Sequence, residues 1–286
     1  MAKMRTTTRS GRQGKAKHND RTYLPPEERP RENRYSYVGQ KNAPNLTFRE
    51  AELRYYEKRY SEGLEARNER YKRQGHKERC KTIEDLYKGD KTCPTETIFQ
   101  IGDVDKCANP ETLRKCYVEY MRAIQDWSSK HGGHFHILDY AMHFDEKTPH
   151  VHERAIMDVK DKDGHFIIAQ EKALREAGIE LPDPSKPEGR YNNRKITFDK
   201  MRREMFQEIC LKHGLNIEVV PRPQRQMHKS VHEYKRERSE KNVGALKQLK
   251  KTRSNTIKKV LEFFQYLFTS FLFERSAVPF EFIFFL

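Results

Sequence analysis

HFHILDYAMHFDEKTPHVHERAIMDV, residues 134–159, holds two apolar runs separated by an acidic, proline-marked turn, and its reading decides the fold. HFHILDYAMHF and HVHERAIMDV have the length and residue types of strands, and FDEKTP supplies a turn that folds the second back on the first. The two are therefore expected to be adjacent and antiparallel. Side chains alternate faces along a strand, so His150 and His152 project together while Val151 points into the core. His143 ends the first run, and the turn returns it beside them with Glu146 close by. Three neutral imidazoles and a carboxylate suit a divalent ion. Mn, Ni, Co or Zn match such a donor set better than Mg, which prefers oxygen ligands. The competing reading is a set of surface histidines. It is the weaker one, because structural histidines seldom come in threes beside acids.

Outward from this stretch, DKDG at 161–164 reads as a turn into a third strand, HFIIA. Its acids resemble a calcium loop only in part, since the later ligands fall at the wrong spacing. His134 and His136 form a second His-x-His that lacks the acid and proline turn and is read as a decoy, with a histidine that supports a metal ligand as the alternative. Upstream, TETIFQIGD at 95–103 alternates as a strand, and Asn109-Pro110 opens a helix that Gly132 and Gly133 end. NLTFREAELRYYEKRYSEGLEARNERYKRQ reads as a long helix capped by Asn45 or Thr47, with Phe48, Leu53, Tyr56, Tyr60 and Leu64 on its apolar side. Downstream come helices over 171–178 and 198–214, a loop between them, and a short strand LNIEVV. The order implies an α+β fold, a central antiparallel sheet with flanking helices, over 1–220. Residues 1–44 are expected to form a basic arm with one short strand, RYSYVGQ.

Composition bounds the partners. The chain has 286 residues, 35% of them charged, with a formal net charge of +15. Such a field attracts polyanions and makes nucleic acid the default partner. Cys80, Cys93, Cys107, Cys116 and Cys210 are odd in number and contain no C-x-x-C pair, which indicates neither a zinc ribbon nor a disulfide framework and fits a reduced, cytoplasmic setting. The basic N-terminus has no apolar core of a secretory signal. Residues 221–259 read as a basic helical or extended arm. Residues 260–286 reverse the composition into phenylalanine-rich runs, neither of which reaches the roughly 20 residues of a membrane span. The change of character reads as a truncated or frameshifted gene end, with a partner-binding or membrane-surface helix as the alternative.

HFDEKTPHVH resembles the His-hydrophobic-His motif of the Mob/Pre plasmid mobilization and recombination proteins, the MobV class of relaxases. The similarity extends to KHNDR at 17–21, which looks like that family's first motif, and onward to the helix before Gly214. It implies a palm-like sheet holding a divalent metal, Mn first among the candidates, on His143, Glu146, His150 and His152, with Asp145 orienting a ligand histidine. It also implies an enzyme that cuts one strand of plasmid DNA at an origin of transfer and stays joined to the 5′ phosphate. By the same carry-over His18 is the nucleophile and Arg21 sits beside the phosphate, while Tyr23, Tyr35 and Tyr37 are rivals to His18. Lys17, Asn19, Asn33 and Arg34 would contact the nicked strand. Tyr191, Asn192, Asn193 and Arg194 combine a ring, amides and a guanidinium, and are expected to grip single-stranded DNA, with a plain surface loop as the alternative. A homodimer through a C-terminal helical region, one that a truncated gene end would remove, is a further expectation of the resemblance.

Two other functions compete. A rolling-circle replication initiator or transposase of the same histidine chemistry would act at a replication origin or an element end. A non-catalytic basic DNA-binding protein would use the histidines to hold a structural ion closed by four protein ligands.

Overall fold

The structure, a computed structural model, describes residues 3–11, 16–28, 34–36 and 46–219, and helical positions between 236 and 263 that are continuous over 247–261. Asn33 and Tyr37 lie outside the described residues, as do Asn45, most of the apolar tail and the start of the basic arm. The chain divides into two units, 1–220 and 221–286. In the second, residues 247–261 are helical and exposed. Among the described residues, no helix is long and apolar enough to cross a membrane.

The first unit is α+β. Its antiparallel sheet runs in the order β1 (Thr6–Gly11), β3 (Thr95–Ile101), β5 (His150–Lys160), β4 (Phe135–His143) and β2 (Arg34–Ser36), with β6 (Phe166–Ile168) paired to the end of β5. The β4–β5 register pairs His143 with His150 and Ala141 with His152, as the turn between them requires. β5 is central, and its two faces carry different chemistry. Val151, Ala155 and Met157 enter the main core with Phe99 and Ile101 of β3, beneath α4 (Pro110–Lys130), α5 (Gln170–Glu176) and α6 (Arg194–Lys212). The opposite face carries His150, His152, Arg154 and Asp158 and is crossed by α2 (Phe48–Arg73).

Why α2 lies there follows from its sequence. Thr47 and Glu50 form a capping box that fixes its start. Tyr56, Tyr60 and Leu64, one helical turn apart, bury against Leu138 and Ile156. Polar anchors then set its register: Glu52 binds the Arg154 guanidinium, and Tyr60 donates to Asp158 at 2.8 Å. Gly63 is required at the crossing, because a Cβ there would meet Cβ of His165 at 2.9 Å. A β-bulge between Ile137 and Asp139 re-phases β4, so that Ala141 and His143 share the α2 face.

On the other face, Glu153 is fully buried and paired with the buried Arg202 of α6, which also donates to Tyr120 at 2.7 Å and to Thr97 at 3.2 Å. Thus consecutive residues of β5 serve opposite layers, His152 the candidate site and Glu153 the core.

Three elements differ from expectation. Residues 6–11 form an edge strand rather than part of an arm. TTTRSG carries no apolar alternation, and its pairing is fixed by β3, to which Thr8 is registered opposite Phe99. Among the described residues of LNIEVV there is a single bridge, Ile217 to Met4. α3 (Ile83–Lys88) is an additional helix with its own Thr82–Asp85 capping box.

Candidate metal centre

The histidines converge because three pieces of chain meet at the head of β5. His150 and His152 sit on β5, His143 ends β4, and α1 (Ala16–Asn19) packs over them through Ala16, Phe48 and Ala141. The small side chain of Ala141 lets α1 approach the sheet. Asp20 ties the turn down, accepting from the backbone N–H of Phe48 at 2.9 Å and of Thr22 at 3.2 Å.

Each of the three rings has one nitrogen committed. His143 Nε2 donates to the Asn19 carbonyl at 3.1 Å, His150 Nδ1 to the Thr148 carbonyl at 2.9 Å, and His152 Nδ1 to Glu96 Oε1 at 3.0 Å. The acceptors fix the tautomers, so His143 Nδ1, His150 Nε2 and His152 Nε2 carry bare lone pairs. His143 Nδ1 is buried with no hydrogen-bond partner. His150 Nε2 and His152 Nε2 lie 3.0 Å apart. Two nitrogens each about 2.1 Å from one ion are separated by roughly 3.0–3.4 Å, so the spacing is that of two ligands on a shared cation. Glu146 completes the set, with Oε1 3.6 Å from His143 Nδ1 and Oε2 3.9 Å from His150 Nε2. The donors present therefore fit a divalent ion, with imidazole-rich ligation that suits Mn, Co, Ni or Zn.

The electrostatics keep His143 and His150 neutral. Burial, reinforced by His152, pushes His143 down to about 3. Burial also lowers His150, against the opposing Thr148 hydrogen bond. Glu96 is held below the usual carboxylate range: burial favours its neutral form, but hydrogen bonds from His152 and Asn19 outweigh it. Neutral imidazoles and ionised carboxylates are the states a cation needs.

His18 lies at the open side. Its ring meets those of His143 and His152 edge-on, with centroids 5.2 Å away in each case, and it is exposed while the other two are buried. Burial in part, followed by His152 and Arg21, lowers its pKa as well. Tyr23 stands beside it, rings nearly parallel at 6.5 Å.

Several expected roles change. Arg21 does not stand free for a phosphate: its guanidinium is buried, donating to Glu146 at 2.6 Å, to Asp145 at 3.0 and 3.2 Å, and to Tyr23 Oη at 3.0 Å. Its positive φ of 56° turns the side chain inward. Asp145 accordingly serves Arg21 and does not orient a histidine. That task falls to Glu96, which the sequence reading missed. A lone carboxylate within the strand, two residues before Ile98 on the same face, was its one signal. Asn19 is buried, its amide donating to Glu96 at 2.8 Å, so it braces the centre instead of reading DNA. Lys17 is exposed.

The expected DNA grip at 191–194 lies away from these contacts and is mostly structural. Asn192 closes the 183–192 loop through the carbonyls of Asp183, Lys186 and Pro187. Asn193 caps α6, accepting from Ile196 N–H at 3.2 Å, and Arg194 pairs with Glu171 and Glu188. Only Tyr191 is presented to solvent, under the Arg190 guanidinium. Arg34 lies on β2, paired opposite Ala141. His134 and His136 engage Asp158 at the far end of β5, apart from the centre.

In comparisons with known proteins, the chain matches no family model, no curated protein and no solved structure.

Proposed function

We propose that this protein is a metal-dependent DNA nickase and strand transferase of the plasmid mobilization type, with His18 as nucleophile. The observation that carries the reading is the meeting of an exposed, neutral imidazole with two buried, tautomer-locked ones, His143 and His152, across more than a hundred residues of sequence. When bound, a divalent ion would neutralise charge growing on the nonbridging oxygens of a phosphate. The residues supply the rest. A ring nitrogen of His18 attacks phosphorus and the P–O3′ bond breaks. The DNA 5′ phosphate is then joined to His18 as a phosphoramidate, and the departing 3′ oxygen takes up a proton to become a hydroxyl. Attack by a 3′ hydroxyl reverses the step and transfers the strand. Arg21 keeps Glu146 ionised and facing the histidines, and Glu96 and Asn19 keep His152 and His143 in their tautomers.

A second reading has its own support. Ligand atoms of His18, His143 and His152 lie within 4.8 Å of one another. Four imidazoles on one ion would make a closed, structural site in a protein that binds DNA without cutting it. Incubation with supercoiled plasmid carrying the protein's own flanking DNA, with Mn added or chelated, separates the two. Relaxed, protein-linked DNA that requires metal and vanishes in His18→Ala is the expected result. Binding without cutting under every metal supports the structural site.

A further inference from the structure

At the opposite end of β5 from the histidines, the C-terminal half of α2 and the β5–β6 hairpin enclose a cavity of about 690 Å³. Leu64, Leu86 and Phe166 line it together with Arg67, Arg70, Arg73 and Lys162. The three arginines recur every third residue, so they share one side of the helix along roughly 9 Å of its axis. Cations in the last turn of a helix are ordinary, because they complement its dipole. These differ from that case. Lys72, on the neighbouring side, is paired with Glu69 at 2.7 Å, whereas among the described residues none of the four cavity cations has an ion-pair partner. Arg67 Nε is buried without a hydrogen-bond partner. Two acids line the cavity with them: Asp161, whose Oδ1 is already engaged by the backbone N–H groups of Asp163 and His165, and Asp163, which is exposed to solvent.

We propose that this groove is a second nucleic-acid contact, one that grips the phosphodiester backbone without metal. Unpaired guanidiniums in a row are the group that binds phosphate bidentately. Asp161 lies nine residues beyond His152, about 30 Å along the strand direction, close to one turn of duplex DNA. α2 borders both ends, so a strand gripped at the arginines is led along the helix toward His18. The inference rests on the reading of DNA as the substrate and adds an anchoring site to it.

The test uses the full chain in chelator, with fluorescent single-stranded and duplex DNA of equal length, each longer than one helical turn. Binding is followed across a salt series for wild type, for Arg67→Gln/Arg70→Gln/Arg73→Gln, and for a charge-matched control on α4, Lys115→Gln/Arg122→Gln/Lys130→Gln. The groove variant is expected to lose at least about tenfold in affinity and to flatten the log–log salt dependence by about 2 to 3, near 0.9 per phosphate released, while the control changes either value little. The DNA form that shows the loss identifies the occupant. Equal losses in both variants, or none in the groove variant, overturn the proposal. Should the triple variant fail to fold, Arg70→Glu at an exposed position gives the same reading. Nicking that persists with arginine-independent binding defeats this inference alone. Arginine-dependent binding by a protein that never nicks defeats the nickase reading alone.

Discussion

His150 and His152 present bare Nε2 atoms to each other at 3.0 Å, while the second nitrogen of each ring is spent on a carbonyl or a carboxylate. Two lone pairs at that distance repel unless a cation or a shared proton lies between them. The centre is thus built with a repulsion that a metal relieves, and metal binding is expected to stabilise the fold. With free Mn or Zn at a hundredfold over its dissociation constant, the gain is about 2.7 kcal/mol. Thermal unfolding with and without metal measures it, and His152→Ala is expected to abolish the metal-dependent part.

Glu96 is predicted to tune the metal without touching it. Glu96→Gln keeps the size of the side chain but removes the charge that holds His152 Nδ1–H, and it is expected to weaken metal affinity by about 10- to 100-fold. Competition with a chelating dye reads this directly. Asp145→Asn, by contrast, should leave affinity within about threefold of wild type, since that carboxylate serves Arg21.

Acid sensitivity follows from the neutral rings. His143 is held at about 3 and His150 is also lowered, against an ordinary value of 6.5. Between the unfolded and folded pKa values the unfolded chain binds more protons, so this contribution to stability is full above about 6.5 and is lost as pH falls toward 3. The urea midpoint of the metal-free protein is expected to drop between pH 7.5 and pH 5, and to drop less in His143→Leu. A later loss, below about 3.8, belongs to Asp158. Burial opposes its ionisation, but hydrogen bonds from His136 and Arg59 hold it at about 2.

The buried Arg202–Glu153 pair predicts a non-additive pair of mutants. Arg202→Met leaves a carboxylate uncompensated in the core and should cost about 3–5 kcal/mol, whereas the double variant Arg202→Met/Glu153→Leu should recover most of it. Chemical unfolding of the three variants gives the coupling energy.

The loop at 191–194 supplies a contrast between structure and binding. Asn193→Ala removes the cap of α6 and should destabilise by about 1 kcal/mol without altering affinity for single-stranded DNA. Tyr191→Ala should leave stability unchanged and, where the ring stacks a base, weaken binding by about 1–3 kcal/mol.

What was legible in the sequence was whatever short-range periodicity or a turn fixes. The β4–β5 hairpin, the shared face of His150 and His152, the Asn109 cap and the long helix from Phe48 all follow from local pattern, and together they give the α+β sheet with flanking helices. Long-range partners were not legible. Glu96 reaches His152 only because β3 pairs with β5 in one register, opposing Ile98 to His152. Arg21 was placed beside a phosphate by the motif resemblance, which carries its charge but not its left-handed turn. Asn19, Asn192 and Asn193 carry side chains that serve a DNA edge or a backbone carbonyl equally well, and only the folded chain decides which. The edge strand β1 was hidden because its residues are polar on both faces.

The central claim is that a nitrogen of His18 carries the DNA. The most direct measurement is to trap the protein–DNA adduct formed with Mn, digest it, and identify the linked residue by mass spectrometry together with its stability in acid. The account predicts a 5′ phosphate on the peptide containing His18, joined by an acid-labile, base-stable phosphoramidate. An acid-stable adduct on Tyr23, or cleavage with no covalent intermediate, would contradict it.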